Sequence, residues 1–348
     1  MTPDRQTKFL ITGSTGFVGR QLVAKLIAKY GTNAITAMAG VHPDPMEESY
    51  LQALKKQKVR VIQCDLLDLP KLDIQVPNFD VVYHLAAYVE TEKASPGIAV
   101  NIVGTKNLLA WLGQNLLGKR LVYTGTLASM DRRGIPVGPL NELTVCFPKT
   151  NYGRTKLEAE RIIQAQSSIL AFDYTILRLC PILGRGFRSG GILDVLSELL
   201  RRNAVATRLN WPGRTSLLCL SDLIEVLIAV PQYSDTRNEL YVVSNGEDPT
   251  FDKLLDHIAR ALNLERKTIA LPRWLWKFIG IVALLGSNSA LIPSRLRTFC
   301  WRVAVMVYDG VYADSSKLNA TLKQSYHSVK SGLRDAYARR DCPSTGDG

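Results

Sequence analysis

Residues 8–30 read KFLITGSTGFVGRQLVAKLIAKY, and no other stretch restricts the fold of this chain so tightly. Phe9 to Thr12 are apolar or β-branched, as a buried strand requires, and apolar side chains then recur at helical spacing up to Tyr30. Gly13, Gly16 and Gly19 occupy the junction at intervals of three. Gly13 permits a tight turn, Gly16 lets backbone approach a pyrophosphate with no Cβ in the way, and Gly19 lets the helix lie close on the strand. The helix start adds open N–H groups and a partial positive charge. The spacing is G-x-x-G-x-x-G, not G-x-G-x-x-G, but its place between strand and helix points to a dinucleotide.

The same rhythm continues. AITAMAG, KVRVIQCDL, FDVVYHLAA, KRLVYTGTLAS and DYTILRLCPILG read as strands. MEESYLQALKKQ, NYGRTKLEAERIIQAQ and a single long AVNIVGTKNLLAWLGQN read as the helices between them. Strands nearly continuous in Val, Ile and Leu and separated by helices imply an α/β, doubly wound parallel sheet whose ligands lie beyond its carboxyl edge. This first unit is expected over 1–185, with some later segments returning to it. A smaller α/β substrate-binding part follows over 186–338, and a disordered tail over 339–348. In the second part GGILDVLSELLRRN is a helix, and LLCLSDLIEVLIAVP passes from strand to helix with Ser221 or Asp222 as cap. ELYVVSNG is a strand, and a further helix opens at Pro249 and Thr250. No linker rich in Gly, Ser or Pro separates the halves, so they are expected to pack together and close a cleft.

At 348 residues, 46% hydrophobic and 21% charged, the chain has a globular composition. It has no run of about 20 apolar residues, and charged Lys8 leads directly into a core strand with no leader pattern. The six cysteines, Cys64, Cys146, Cys180, Cys219, Cys300 and Cys342, form no C-x-x-C pair. They suit reduced thiols of a cytosolic protein and no metal site. The net charge of +12 fits a basic surface, anionic ligands or a membrane face. No helix-turn-helix, zinc or RNA-binding signature supports nucleic acid.

Candidate site residues cluster at the carboxyl ends of these strands. Asp65 ends the third strand, where its carboxylate can accept from an adenine amino group or cap a turn. After Leu85, Ala86 and Ala87 are small enough for backbone to pass near a ligand, and His84 before them reads as a packed or capping histidine. Tyr152 and Lys156 stand at i and i+4 on one helix face, and Thr126 ends the fifth strand. Hydride transfer to a carbonyl needs a proton for the developing alkoxide. A phenol with pKa about 10 gives it up near neutrality only if a nearby ammonium favours the phenolate.

TGSTGFVG, CDL, YHLAA, VNIVGTKNLL, VYTGT, YGRTK, LRLCPILGRG and CLSDLIEVL, in this order, resemble the extended short-chain dehydrogenase/reductase superfamily. The resemblance covers most of the chain. It implies a Rossmann domain, a bound nicotinamide dinucleotide and Thr126, Tyr152 and Lys156 as the catalytic set, with Lys156 also on the nicotinamide ribose. It also implies cofactor contacts at Gly13, Ser14, Thr15, Gly16, Phe17, Val18 and Gly19 of the turn, then at Asp65, Leu66, Leu85, Ala86, Ala87, Asn101, Tyr152, Lys156, Pro181 and Ile182. Asn101 is alternatively a helix cap. Two departures stand out. The usual serine is Thr126, which keeps the hydroxyl. The second strand ends in ITAMAGVHPDP, with no acid before Asp44 for the ribose of NAD and no arginine for the phosphate of NADP. The cofactor is NAD or NADP, with the missing acid favouring NADP.

RLCPILG carries Pro181 where sugar-nucleotide epimerases and dehydratases of this superfamily commonly have Asn. It is more similar to the 3β-hydroxysteroid dehydrogenase and dihydroflavonol reductase branches, which implies a less polar, steroid- or lipid-like alcohol or ketone. The alternatives are a sugar-nucleotide epimerase or dehydratase, and a non-catalytic cofactor-binding scaffold or sensor. Residues 272–286 form a Trp-rich apolar segment that suits a lid, a peripheral membrane contact or a packing helix. The resemblance also allows a homodimer through the Tyr152 helix. The expected location is the cytoplasm, with membrane-peripheral attachment as a variant.

Overall fold

The computed structural model describes residues 7–89, 99–130, 138–186, 191–308 and 312–337. The tail expected to be disordered, 339–348, lies outside them, as does Cys342. Strands β1 (Phe9–Thr12), β2 (Ile35–Ala39), β3 (Arg60–Gln63), β4 (Val81–His84), β5 (Arg120–Thr126) and β6 (Asp173–Leu179) lie in the first half. They alternate with helices α1 (Phe17–Tyr30), α2 (Pro45–Lys56), α3 (Gly104–Leu112) and α4 (Asn151–Leu170). Strands β7 (Ile182–Leu183), β8 (Leu218–Cys219) and β9 (Glu239–Val243) follow, with α5 (Ile192–Arg201), α6 (Leu220–Ala229) and α7 (Phe251–Ala261). Four further helices complete the chain: α8 (Arg273–Asn288), α9 (Ser294–Val307), α10 (Ser316–Leu322) and α11 (Val329–Tyr337).

Seven strands make one sheet in the order β3-β2-β1-β4-β5-β6-β9, every neighbour parallel. Alternation along each strand feeds two apolar layers. Ile11, Tyr83, Val122 and Leu177 face one, with Leu22 and Leu26 of α1 and Leu223 of α6. Leu10, Val82, Leu121 and Ile176 face the other, with Leu108 of α3 and Ile163 of α4. A third cluster, including Leu183, Leu196, Trp211, Leu254, Trp276 and Leu333, fills the later part beside the β7–β8 pair. The direction of the strand order reverses between β1 and β4, so the crevice where such sheets bind ligands opens beyond Thr12 and His84.

Local chemistry explains the helix starts. The Asp44 side chain accepts from the Glu47 amide while Glu47 reaches back to Asp44, with Pro45 at the first helical position. Thr150 and Thr250 cap α4 and α7 through their hydroxyls. Two expectations need correction. The single helix over 99–115 is instead a wide π-type turn at Ala99–Val103 leading into α3, which stops at Gly113 with φ +46°. Neither Ser221 nor Asp222 caps α6. Because β8 runs straight into the helix, Cys219 is the cap residue, with no side-chain cap hydrogen bond. Asp222 sits within the first turn and accepts from the His327 amide and ring Nδ1, at 2.9 Å and 2.5 Å.

Candidate active site

Backbone crowding explains the glycine turn. Gly13 has φ +67°, and a Cβ there would lie 2.7 Å from the Ala86 nitrogen. The loop after β1 thus rests directly on the loop after β4. At Gly19 a Cβ would fall 2.1 Å from the Gly13 carbonyl oxygen, so only glycine lets α1 close on the strand end. Gly16 caps α1 without a side-chain acceptor, and the helix has no acid in its first turn. The donor set therefore suits a diphosphate: helix-start amides, no competing carboxylate and a floor free of Cβ atoms. Ser14 is turned away, its hydroxyl and amide both donating to the Met38 carbonyl. Thr15 accepts from Arg20 Nε through its carbonyl, at 2.6 Å. Phe17 leans on the segment after β7, where a Cβ on Gly184 would come within 3.3 Å of its ring. Val18 follows half-buried in the first turn. Pro181 accepts from the Leu218 amide, and Ile182 pairs with Leu218. Arg20 and Gly184 are neighbours of the turn that only the fold reveals.

Along the crevice runs a chain of hydrogen bonds whose polarity is fixed end to end. The Ala86 amide donates to Thr12 Oγ1, which donates to His84 Nδ1 at 2.8 Å. His84 Nε2 donates to Thr105 Oγ1 at 2.9 Å, and Thr105 donates to the Asn101 carbonyl. The Asn101 amide nitrogen then donates to Thr155 Oγ1 at 2.9 Å, and Thr155 donates to the Tyr152 carbonyl. His84 is thus a neutral Nε2–H tautomer. Burial first, then the Lys156 cation, pushes its pKa down to about 3. The expectation of a packed histidine holds. The chain couples the floor of the nucleotide crevice to the first turn of α4. Asn101 is buried within it, also exchanging hydrogen bonds with the Tyr88 backbone, and caps no helix. Thr12, Thr105 and Thr155 are small polar residues far apart in sequence, so spacing could not single them out.

On α4, a Cβ at Gly153 would lie 2.2 Å from the Ala128 carbonyl oxygen. The first turn, bearing Tyr152, therefore sits against the loop that leaves Thr126. Thr126 Oγ1 accepts from the Ala128 amide at 3.2 Å. Lys156 is buried, with Nζ 4.1 Å from the centre of the Tyr123 ring. Desolvation lowers its pKa to about 7, opposed by Glu160 one turn further on. Glu160 Oε2 accepts from Arg178 Nε and Nη2 of β6 at 3.0 and 2.7 Å, with both side chains buried. Its Oε1 has no hydrogen-bond partner among the described residues and packs where Gly125 leaves out a Cβ. Glu160 and Arg178 escaped the sequence reading, although the i, i+4 step from Lys156 to Glu160 was visible.

The remaining expected contacts line an adjacent loop. Asp65 Oδ1 accepts from the Leu67 amide at 2.9 Å, closing a turn. Leu66 is buried beneath Gly104, and its carbonyl accepts from Asn107. Ala86 lies against Gly13, with Leu85 and Ala87 on either side of it beyond β4. No His, Cys, Asp or Glu cluster among the described residues could hold a metal. No helix among them is long and apolar enough to cross a membrane.

The geometry agrees with relationships across the chain. UDP-glucose 4-epimerase of Vibrio cholerae is 25% identical over 330 residues, 89% of this chain and 95% of that one. Sterol demethylase protein B of Methylococcus capsulatus is 26% identical over 341 residues, covering 94% and 97%. The 3 beta-hydroxysteroid dehydrogenase/Delta 5-->4-isomerase of Vaccinia virus (strain Copenhagen) is 25% identical over 320 residues, covering 86% and 90%. Among solved structures, UDP-glucuronic acid 4-epimerase from Bacillus cereus, in complex with UDP-glucuronic acid and NAD, superposes with a TM-score of 0.71. It shares 20% identity and covers 95% of this chain and 98% of its own. A family model described as NAD dependent epimerase/dehydratase matches residues 9–243, from the first core strand to the last. This chain belongs to the NAD dependent epimerase/dehydratase family, among the extended short-chain dehydrogenase/reductase enzymes.

Proposed function

We propose that the enzyme moves a hydride reversibly between NAD(P) and a secondary alcohol or ketone of an apolar, steroid- or lipid-like substrate. One observation carries the reading: the Tyr152–Lys156 turn of α4 is wedged on the Thr126 loop and tied by hydrogen bonds to the glycine-turn crevice. The nicotinamide supplies or accepts the hydride when bound. Tyr152 passes the proton to or from the substrate oxygen. Lys156 favours the phenolate while it is charged, and Glu160 draws it toward that form against desolvation. Thr126 supplies a hydroxyl to hold the substrate oxygen in line.

The apolar substrate class is supported by Pro181, by the resemblance to the 3β-hydroxysteroid dehydrogenase branch, and by two relatives whose names refer to sterols or steroids. NADP is favoured over NAD because Asp44, the first acid after β2, is committed to its capping box. Arg20 offers a cation at the rim of the turn, held on the Thr15 carbonyl and over the Tyr50 ring. Titration with NADPH and NADH, then a panel of sterols and ketones, tests both points. Tyr152→Phe should cut turnover by roughly 10²–10⁴ while leaving coenzyme affinity nearly unchanged. Full activity in that variant refutes the assignment. The UDP-glucose 4-epimerase relative favours a second reading, a sugar-nucleotide epimerase. Tightly retained NAD and no net oxidation of added substrate would select it.

A further inference from the structure

Helices α8 and α9 form a hairpin whose burial runs against side-chain size. The face of α8 that meets neighbouring helices holds Trp276, Gly280, Ala283 and Gly286, three of the four small. A Cβ on Gly280 would strike the Tyr308 ring, and one on Gly286 would lie 2.9 Å from Cys300 Sγ. Five large residues other than Trp276 point outward. Trp274, Phe278, Ile281, Val282 and Leu285 recur at i, i+4, i+7, i+8 and i+11, a stripe about 100° wide. Trp274 is 69% exposed and Leu285 is 68% exposed. Leu291 at the turn is 96% exposed, and Leu296 and Phe299 extend the surface onto α9. From Arg266 to Tyr308 the chain has no Asp or Glu, while Arg273, Lys277, Arg295 and Arg302 are exposed on the two helices. On each helix these exposed cations lie along one side of the apolar stripe, while half-buried Arg297 lies on the other side of α9.

We propose that this hairpin docks, without crossing, on a bilayer surface carrying anionic headgroups. Its apolar stripe lies among the upper acyl chains, with Trp274 and the cations at headgroup level. Each helix is too short to span: α8, with 16 residues, is about 24 Å long against about 30 Å of hydrocarbon. Charge selects the occupant. A second copy apposed through this face would bring these cations together with no acid in the hairpin to pair them, whereas an anionic bilayer satisfies stripe and cations together. The inference is independent of the reaction assigned above.

Sedimentation of the full chain with vesicles tests it. The protein should pellet with phosphatidylcholine vesicles containing phosphatidylserine and stay in the supernatant with phosphatidylcholine alone. The exposed pair Phe278→Ser with Leu285→Ser should lower the bound fraction roughly tenfold. Arg295→Glu with Arg302→Glu should remove the preference for phosphatidylserine, and neither pair should move the thermal unfolding midpoint. Failure to pellet with anionic vesicles overturns the proposal, as does equal binding to both vesicle types. So does a dimer in solution that Phe278→Ser with Leu285→Ser dissociates, since the face would then belong to a second copy.

Discussion

Helices α4 and α8 spend their side chains in opposite ways. α4 takes Lys156 and Glu160 out of solvent and completes them with groups of its own chain: Tyr123 beneath the ammonium and Arg178 on the carboxylate. α8 turns glycines inward and leaves five large apolar side chains half or more exposed to solvent. Buried charge is tolerated when partners are built around it, and a continuous exposed apolar stripe marks a surface completed from outside. One helix is finished within the fold. The other is finished by what it meets.

Substitutions that damage the two helices unequally sharpen this contrast. Glu160→Leu strands the Arg178 cation in the core and should cost about 3–5 kcal/mol in urea unfolding. Leu285→Ser shortens an apolar side chain yet should stay within about 0.5 kcal/mol, because most of that side chain is exposed in the fold. Equal losses would mean that α8 is as much a core helix as α4.

Acidity gives the next effect. The unfolded chain holds the Lys156 proton up to its ordinary 10.5, the folded chain only to about 7. The unfolded state therefore binds more protons across that window, and stability should climb as pH rises through it. The slope from this one group is at most about 1.4 kcal/mol per pH unit. Lys156→Met should flatten the climb in a pH series of unfolding curves. An unchanged slope would show that the ammonium is not desolvated, and α4 would lose half of its distinction from α8.

What the sequence made legible follows from locality. The glycine turn, the parallel α/β order and the Tyr152–Lys156 step are encoded within a few residues, and the sheet carries all three in the expected places. The crevice chain was hidden because its members are distant in sequence and ordinary in type. Thr12, Thr105 and Thr155 become informative only when β1, α3 and α4 converge on His84 and Asn101. Arg178 was hidden for the same reason, as its partner lies on another element. On α8 the apolar period was readable, but the face it would turn to solvent was not. Sequence spacing gives the angle between side chains and says nothing of where the rest of the protein stands.

Between the buried pair on α4 and the bare stripe on α8 lies an intermediate case, Asp222 with His327. The carboxylate is buried in the first turn of α6, while the imidazole is 62% exposed and joins it from the segment before α11. The Asp222 hydrogen bond and charge raise the His327 pKa above its ordinary 6.5. The folded state thus holds this proton to higher pH than the unfolded one. Its contribution is complete below 6.5 and fades as pH rises through the raised value. Exposure screens the pair, so His327→Ala should cost only roughly 0.2–1 kcal/mol in acid and nothing well above neutrality. The backbone bond from the His327 amide to Asp222 Oδ2 survives the substitution. A pH-independent loss would therefore assign the contact to ring packing, and a loss as large as that of Glu160→Leu would place Asp222 with the fully internal charges of α4.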